Sequence, residues 1–399
     1  MIAIDNIYKA SDIIKDTVIR TPQVYSPTIS QMFGADIWFK LENLQKTGSF
    51  KIRGAAYKIL TRKNEISSGG VVAASAGNHA QGVALAASNA GIDSTIVMPE
   101  WASISKQEAT LSYGGKVVLS GQSIGESLEK AKELAKKGKT FIHPFDDPDI
   151  ITGQGTIGLE ILDDLKDADM ILVPIGGGGL ISGLACAAKF LRPDIKIIGV
   201  QAASCPSAFE SVRKGFISPV TSQLSIADGI NVKQTGSLNF KIIQKYVDDI
   251  VLVEEEQIAA AILMLLERKK TLAEGAGAVC LAALINGSVK IYPGTKTVLM
   301  ISGGNVDSPL LGRIIQKGLL KNGRLMRIKL HLNDIPGSLS NLLLLIARLK
   351  ANILHIYHDR DVQDMAVNMT YVELELETRG PEHINEIKES LKNSGYKSI

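Results

Sequence analysis

A lysine at the predicted start of a helix is the first group in this chain whose position suggests chemistry. In the stretch LQKTGSFKIRGAAYKIL, the apolar residues after Ser49 recur at helical spacing, which predicts an amphipathic helix with Ser49 as its N-cap. Its first turn holds Lys51, where helices usually place acids. The helix start, the neighbouring cation Arg53 and partial burial would each lower the pKa of the Lys51 amine. Lys51 is therefore a candidate for a lysine that reacts as a neutral amine; the alternative is an ordinary solvated lysine.

Three polar or glycine-rich loops follow predicted strands and could complete such a site. They lie in ASAGNHAQG, in PIGGGGLISG and in ISGGN. In open α/β sheets the ligand crevice lies outside the carboxyl ends of the strands. The three loops therefore predict one small-molecule site at that edge.

Four consecutive glycines make the second of these loops a candidate phosphate site. Backbone amides at a helix N-terminus bind anions well when no side chains stand in the way. The alternative is a tight strand-to-helix turn, but such a turn needs only one or two glycines. The loop residues are Gly176, Gly177, Gly178 and Gly179, followed by Leu180 at the predicted helix start.

A dinucleotide site is a weaker interpretation of the glycine pattern. The one G-x-G-x-x-G match, GQGTIG at residues 153–158, follows the polar, proline-containing HPFDDPDIIT and not a strand. A Walker A lysine motif is also missing from the sequence. A phosphate site, a helix-start lysine and polar strand-end loops together suit pyridoxal 5'-phosphate, whose aldehyde forms a Schiff base with lysine.

The elements that must position these groups indicate an α/β protein. From Gly69 to about Leu319, β-branched runs that read as buried strands alternate with helical stretches, which predicts a mainly parallel sheet. These runs are VVAAS, STIVMP, KVVLS, MILVPIG, IKIIGVQ, DIVLV and TVLMISG. From about Leu325 the order becomes strand, helix, strand, strand, helix. We therefore expect a domain over residues 1–321, a linker at 321–323, and a small α+β domain over 325–399.

Composition excludes several other classes. The 399 residues carry 44 basic and 41 acidic side chains, a net charge of +3, and no basic stripe interleaved with aromatic residues. No apolar run approaches membrane-spanning length. The three cysteines form no C-x-x-C pair, and the six histidines lack metal-ligand spacing. We expect a cytoplasmic protein with no metal site, no nucleic-acid partner and no membrane association.

The motifs KTGSFKIRGA, SAGNHAQGVA, GQGTIGLEI, PIGGGGLISG and ISGGN together resemble the fold-type II pyridoxal-phosphate enzymes, the fold of tryptophan synthase β, and specifically the threonine dehydratases. The match runs in order from Asp5 to about Leu319. The resemblance implies a fold with two subdomains, each an open α/β sheet. It also implies dehydration and deamination of L-threonine to 2-oxobutanoate and ammonia, with L-serine as a second substrate.

The same resemblance implies roles for individual residues. Lys51 would carry the cofactor as a Schiff base and act as general base. The other cofactor contacts would be Phe50, Asn78 at the ring oxygen, residues 176–180 at the phosphate, and Ser302 at the pyridine nitrogen. The substrate carboxylate would lie near Ser75, Ala76, Gly77 and His79. A neutral hydroxyl such as that of Ser302 leaves the ring a weaker electron sink than an aspartate would, which favours elimination over transamination.

Two positions separate this chain from its sister activities. Serine racemases resemble it but have a serine at the position of Ala76, which cannot transfer a proton to the opposite face of the substrate. They also place a metal-binding glutamate where this chain has Gln201. A racemase or serine dehydratase on the same scaffold stays open as an alternative. A catalytically inert amino-acid sensor is the alternative from another class.

The tail from about Leu325 resembles an ACT domain, a βαββαβ module that commonly binds amino acids. The resemblance implies an allosteric effector, an amino acid or a nucleotide, and a homodimer or homotetramer. Its turn would contact the effector through Asp334, Pro336, Gly337, Ser338 and Leu339. The alternative is a helix start with Asp334 as its cap and Pro336 in its first turn.

Overall fold

The computed structural model describes residues 2–361 and 365–397. The chain forms two compact units, Met1–Asp307 and Ser308–Ile399. The division lies before the linker predicted at residues 321–323. Helix Ser308–Lys321 packs on the strand that begins at Leu325, and it therefore groups with the C-terminal unit.

Strands in the first unit form two sheets. They are β1 Gln23–Tyr25, β2 Asp36–Leu41, β3 Val71–Ala74, β4 Ser94–Met98, β5 Lys116–Leu119, β6 Thr140–Phe141, β7 Met170–Pro174, β8 Lys196–Ala202, β9 Asp249–Val253 and β10 Lys296–Ile301. The larger sheet has the order β1-β2-β10-β7-β8-β9, and the smaller has the order β5-β4-β3-β6. All neighbours pair in parallel except β1 with β2. The two predicted open α/β sheets are confirmed.

Helices connect and cover these strands. In the first unit they are α1 Ile4–Ile14, α2 Pro27–Phe33, α3 Lys51–Thr61, α4 Asn78–Ala90, α5 Ile104–Ser112, α6 Ile124–Lys136, α7 Pro148–Asp164, α8 Gly179–Leu191, α9 Ser207–Lys214, α10 Ser237–Tyr246, α11 Glu255–Met264 and α12 Gly275–Ile285. A π-helical turn, Leu265–Lys269, extends α11. Among the described residues, no helix is both long and apolar enough to cross a membrane.

The strand pattern in the sequence was correct for all seven predicted runs, but burial was overestimated at two edge strands. Strand β9, at the edge of the larger sheet, has only two of its five residues buried. Strands β3, β4 and β7 are buried along their whole length, as expected of parallel strands covered on both faces. Strand β5 was also predicted to be buried, but its residues are exposed or half-buried because it forms the edge of the smaller sheet. Strands β1, β2 and β6 were not predicted from the sequence.

The discounted dinucleotide match lies inside a helix. Gly153, Gly155 and Gly158 are buried in the middle of α7, where it crosses α3 and α8. A Cβ on Gly153 would lie 2.7 Å from the Gly54 Cα atom, and one on Gly155 would lie 3.0 Å from the Gly183 carbonyl oxygen. These glycines allow close helix packing, and this helical segment forms no turn that could hold a pyrophosphate.

The C-terminal unit contains α13 Ser308–Lys321, β11 Leu325–Asn333, α14 Ser338–Arg348, β12 Asn352–Asp359, β13 Met369–Glu377 and α15 Pro381–Asn393. Its strands pair antiparallel in the order β11-β13-β12. The alternation in β13 buries Val372, Leu374 and Leu376 in the core of this unit. After α13, the described residues therefore form the predicted strand, helix, strand, strand, helix. The final strand of the βαββαβ order is not present among the described residues up to 397. Residues 398–399 lie outside the described chain.

Candidate active site

Lys51 is the first residue of α3, and its amine lies in a protein environment that favours the neutral form. Its Nζ atom donates a hydrogen bond to the Pro144 carbonyl oxygen at 3.1 Å. Burial lowers the pKa of the Lys51 amine to about 8, against a smaller opposing effect of the Glu274 carboxylate. The sequence-based hypothesis of a depressed pKa is consistent with this environment.

Two details of that hypothesis were wrong. Phe50, and not Ser49, is the N-cap of α3, and the buried Ser49 hydroxyl has no hydrogen-bond partner among the described residues. The segment before α3 instead follows the loop after β10, because Ser49 forms an isolated bridge with Gly303. Arg53 does not depress the pKa of Lys51, since its guanidinium is held by two carboxylates, Glu42 at 2.7 Å and Glu160 at 2.6 Å.

The loop before α4 presents its backbone at the carboxyl end of β3. Ser75, Ala76, Gly77 and Asn78 are half-buried, and the Ser75 hydroxyl accepts a hydrogen bond from the Gly77 amide. Helix α4 begins at Asn78 and has 13 residues, so its N-terminus provides partial positive charge. This arrangement suits a carboxylate, as predicted for the substrate.

His79 follows Asn78 in the first turn of α4 and is buried. Its Nε2–H donates to the Ile142 carbonyl oxygen at 3.1 Å, and only 4% of the residue is exposed. Burial, together with the nearby Lys51 charge, lowers the pKa of the His79 imidazole to about 3. His79 therefore stays neutral at physiological pH and braces the loop against the residue that follows β6.

The glycine loop lies at the start of α8, as predicted, but its glycines also serve packing. Gly178 is left-handed, with a φ of +98°, and precedes the first residue of the helix. A Cβ on Gly177 would lie 2.4 Å from the Phe145 ring, and one on Gly178 would lie 2.8 Å from the Asn239 Cβ atom. Phe145 and Asn239 therefore pack against the loop, while the backbone amides at the start of α8 stay suited to an anion.

Ser302 follows β10 and lies beside the lysine segment. It is 2% exposed, and its carbonyl oxygen accepts a hydrogen bond from the Phe50 amide at 3.1 Å. Gly48 allows the two loops to approach each other closely. A Cβ atom at this position would lie 2.4 Å from the Asn305 Oδ1 atom, which is too close for any residue but glycine unless Asn305 moved. The predicted lysine and the predicted serine are thus held together by backbone contacts.

Asn78 belongs to a partly buried hydrogen-bond chain that includes one residue missed from the sequence. Its Nδ2 atom donates to Glu274 Oε1 at 2.7 Å, and its Oδ1 atom accepts from Asn305 Nδ2 at 2.7 Å. Glu274 precedes α12 and is 4% exposed. The available signal was a lone acid in the otherwise apolar, small-residue stretch LAEGAGAVCLAAL, where a buried charge needs a specific partner.

Gln201 has a structural role at the position where serine racemases are implied to have a metal ligand. Its Oε1 atom accepts from the Ala208 and Phe209 amides, both at 2.9 Å, and its Nε2 atom donates to the Ile175 carbonyl oxygen. It therefore caps α9 and ties that helix to the end of β7. Within residues 2–361 and 365–397, no group of three or more His, Cys, Asp or Glu side chains could hold a metal ion.

The candidate effector residues lie in the C-terminal unit. Gly337, with a φ of +92°, precedes α14, and Asp334 pairs with Arg360 at 3.0 Å. The alternative of Asp334 as a helix cap was wrong, because its carboxylate is turned to Arg360 and Pro336 precedes the helix. Ser338 is the first residue of α14, and Leu339 packs against the core of this unit.

Comparison with known proteins agrees with this geometry. A family model described as "Pyridoxal-phosphate dependent enzyme" matches residues 14–303. The L-threonine ammonia-lyase of Thermotoga maritima is 48% identical over 398 residues, which cover 99% of this chain and 98% of that protein. The structure of maize serine racemase is 37% identical in sequence and has a TM-score of 0.75. The match covers 80% of this chain and 98% of the maize chain. The processed form of threonine deaminase isoform 2 from Solanum lycopersicum, at 35% identity, has a TM-score of 0.73 and covers 78% of this chain and 93% of its own.

Proposed function

The chain belongs to the family of pyridoxal-phosphate-dependent enzymes, and from this premise we propose that it is an L-threonine ammonia-lyase. The products are 2-oxobutanoate and ammonia. The observation that carries the proposal is the Lys51 amine, with its pKa lowered by burial, in a chain 48% identical over nearly its whole length to an L-threonine ammonia-lyase. L-serine is a second substrate, since a pocket distinguishes one methyl group by only about 1–3 kcal/mol.

The residues present fit pyridoxal phosphate, the cofactor of this family. An amine of lowered pKa, a glycine-rich helix start whose amides suit an anion and a carboxamide lie in the same unit of the fold. Lys51 would hold the aldehyde, residues 176–180 the phosphate and Asn78 the ring oxygen, with Ser302 at the ring nitrogen and Phe50 beside the lysine. When bound, this cofactor supplies an electron sink for negative charge at the substrate α-carbon.

Lys51 is the general base of the proposed reaction. A general base works best when its pKa lies near the operating pH, and burial brings the pKa of this amine to about 8. The Lys51 amine takes the α-proton of the substrate. The N-terminus of α4 holds the substrate carboxylate through residues 75–79, which fixes the α-carbon relative to the amine.

Ala76 argues against the alternative of a serine racemase. The maize serine racemase shares 37% identity and the fold, so the scaffold alone does not separate the two activities. A racemase needs a proton donor on the face opposite the lysine, and the methyl group of Ala76 provides none. The chain also has Gln201, committed to capping α9, where a metal ligand would be needed.

The C-terminal unit is proposed as the regulatory part of the enzyme. The support is its strand, helix, strand, strand, helix order, together with an exposed turn at residues 334–337 that precedes α14. In this proposal an amino acid or a nucleotide binds at that turn, and subunits associate as a dimer or tetramer.

The three cysteines are free and buried, which fits function in a reducing cytoplasm.

The test is the reaction itself. The purified chain with pyridoxal phosphate is incubated with L-threonine, and 2-oxobutanoate and ammonia are quantified together. Equal amounts of both products support the proposal. Ammonia without 2-oxobutanoate, or release of neither, would contradict it.

A further inference from the structure

Glu274 is a buried acid that touches the active site but has no role in the mechanism described above. It lies at the N-cap position of α12, and its backbone amide donates to the Gly303 carbonyl oxygen at 3.1 Å. Its carboxylate lies against the loop after β10, where a Cβ on Gly303 would lie 2.5 Å from Oε1. The carboxylate is therefore enclosed, and its one hydrogen-bond donor in the described chain is the Asn78 carboxamide.

Hydrogen bonds join Asn305, Asn78 and Glu274 in a chain. The donor and acceptor of each bond can be assigned by starting from a group that can only accept. The Thr47 carbonyl oxygen can only accept, so Asn305 presents its Nδ2 atom to it, at 2.8 Å. The same Nδ2 atom donates to Asn78 Oδ1 at 2.7 Å. The opposite end of the Asn78 amide then points its nitrogen to Glu274 Oε1, at 2.7 Å. If the Asn78 amide were flipped, its oxygen would face the Glu274 carboxylate oxygen and its nitrogen would face the Asn305 nitrogen. Neither pair of atoms could then form a hydrogen bond.

We propose that Glu274 is a positioning residue for cofactor binding: it fixes the Asn78 carboxamide, so that the remaining N–H of Asn78 is available to the ring oxygen of pyridoxal phosphate. This inference rests on the cofactor role proposed for Asn78. Glu274 acts through Asn78 and exchanges no proton with the substrate.

The charge on Glu274 makes this positioning sensitive to pH. Burial, the largest cause, and the nearby Asp228 charge raise the pKa of the Glu274 carboxyl to about 7, against the lowering effects of the Asn78 hydrogen bond, Lys106 and Lys51. Above about pH 7 the ionised carboxylate accepts a charge-assisted hydrogen bond from Asn78. Below that pH the neutral acid accepts a weaker one, so the hold on Asn78 loosens as the pH falls.

Two variants of the holoenzyme separate the hydrogen bond from the charge. Glu274→Gln keeps an acceptor oxygen for Asn78 and removes the charge, whereas Glu274→Ala removes both. The matched control is Glu255→Gln. Glu255 is a half-buried glutamate at the start of α11 that accepts from the Ser204 hydroxyl and the Ile226 amide and is not part of the Asn78 chain. The readouts are the cofactor dissociation constant and the visible absorption band of the bound cofactor, each measured from pH 6 to 9.

We expect Glu274→Ala to bind the cofactor at least about tenfold more weakly than the wild type at pH 8, the scale of a lost hydrogen bond to a charged group. Glu274→Gln should bind within about threefold of the wild type at pH 8 but lack the additional weakening that the wild type shows around pH 7, whereas the pH dependence that Lys51 causes near pH 8 should stay in both. Glu255→Gln should follow the wild type throughout. Unchanged cofactor affinity in Glu274→Ala, or the wild-type pH profile in Glu274→Gln, would overturn the proposal. If Glu274→Ala does not fold, the pH profile of Glu274→Gln decides alone.

These readouts are independent of the substrate. If the wild type binds pyridoxal phosphate but releases no ammonia from L-threonine, the proposed function fails and the test of Glu274 still stands. If the wild type is active and the variants keep its cofactor affinity and pH profile, the positioning role alone fails.

Discussion

The backbone amide of Phe50 donates a hydrogen bond to the carbonyl oxygen of Ser302 at 3.1 Å. This bond joins the residue before Lys51, the proposed reactive lysine, to the serine after β10, although the two are far apart in the chain. It exists because β2 and β10 are parallel neighbours in the larger sheet, so the segments that follow their carboxyl ends meet. The order of the strands in the larger sheet thus brings Phe50 and Ser302 together.

The first prediction concerns Lys51. Lys51→Ala should lose the visible absorption band of the bound cofactor and reduce ammonia release from L-threonine by at least about a thousandfold, because it removes both the covalent anchor and the general base. Absorption spectra and a coupled ammonia assay measure the two effects. Lys63→Ala is the control, since Lys63 is an exposed lysine just after the same helix. Near-normal turnover in Lys51→Ala would remove Lys51 from both roles.

Sequence reasoning found the groups whose neighbours in the chain explain them. Lys51 was predicted from a helix start, and the glycine loop from a strand end followed by a helix start, because both patterns are visible in the local sequence. Glu274 was not found, because its partner Asn78 lies on a different helix and only the fold brings the two together. The error at Ser49 has the same origin: a bridge to Gly303, and not local capping, decides its conformation.

The second prediction concerns the pH dependence of cofactor incorporation. Burial lowers the pKa of the Lys51 amine to about 8, so this amine is protonated below that pH and neutral, hence nucleophilic, above it. The rate at which the visible band appears, when pyridoxal phosphate is added to the cofactor-free chain, should therefore rise as the pH passes through about 8. Stopped-flow absorbance measures it. A rate that rises only above about pH 10, the range of an unperturbed lysine, would contradict the lowered pKa.

The third prediction concerns stereochemistry. With L-serine the chain should form pyruvate with little D-serine, because Ala76 offers no proton on the face opposite Lys51. Ala76→Ser should raise the ratio of D-serine to pyruvate, and Ala76→Gly serves as the matched control without a hydroxyl. Chiral chromatography quantifies D-serine beside a pyruvate assay. A wild-type yield of D-serine equal to that of pyruvate would favour the racemase alternative.

The fourth prediction concerns the ion pairs beneath the site. Arg53 is fully buried between Glu42 and Glu160, and Lys40 pairs with Glu160 at 2.6 Å. Arg53→Ala should lower the free energy of unfolding by about 3–5 kcal/mol, because it leaves the buried Glu42 carboxylate without its cation, while Glu160 keeps Lys40. Urea unfolding measures the change. The control is Lys132→Ala on an exposed pair with Glu129, for which about 0–1 kcal/mol is expected. Equal losses in both variants would show that burial of this network adds nothing.

The last prediction concerns the C-terminal unit. A shortened chain ending at Asn322 should turn over L-threonine, but only the full chain should change its half-saturation concentration with an effector, by about 5- to 150-fold for a typical coupling. Isoleucine and valine are tested first, and a nucleotide after them. In the full chain, Asp334→Ala removes the partner of Arg360 at the turn before α14 and should weaken the response without changing turnover in its absence. Because α13 groups with the C-terminal unit, a second chain ending at Asp307 is the control for the choice of end point. If the shortened chains respond to the effector like the full chain, the C-terminal unit has no regulatory role.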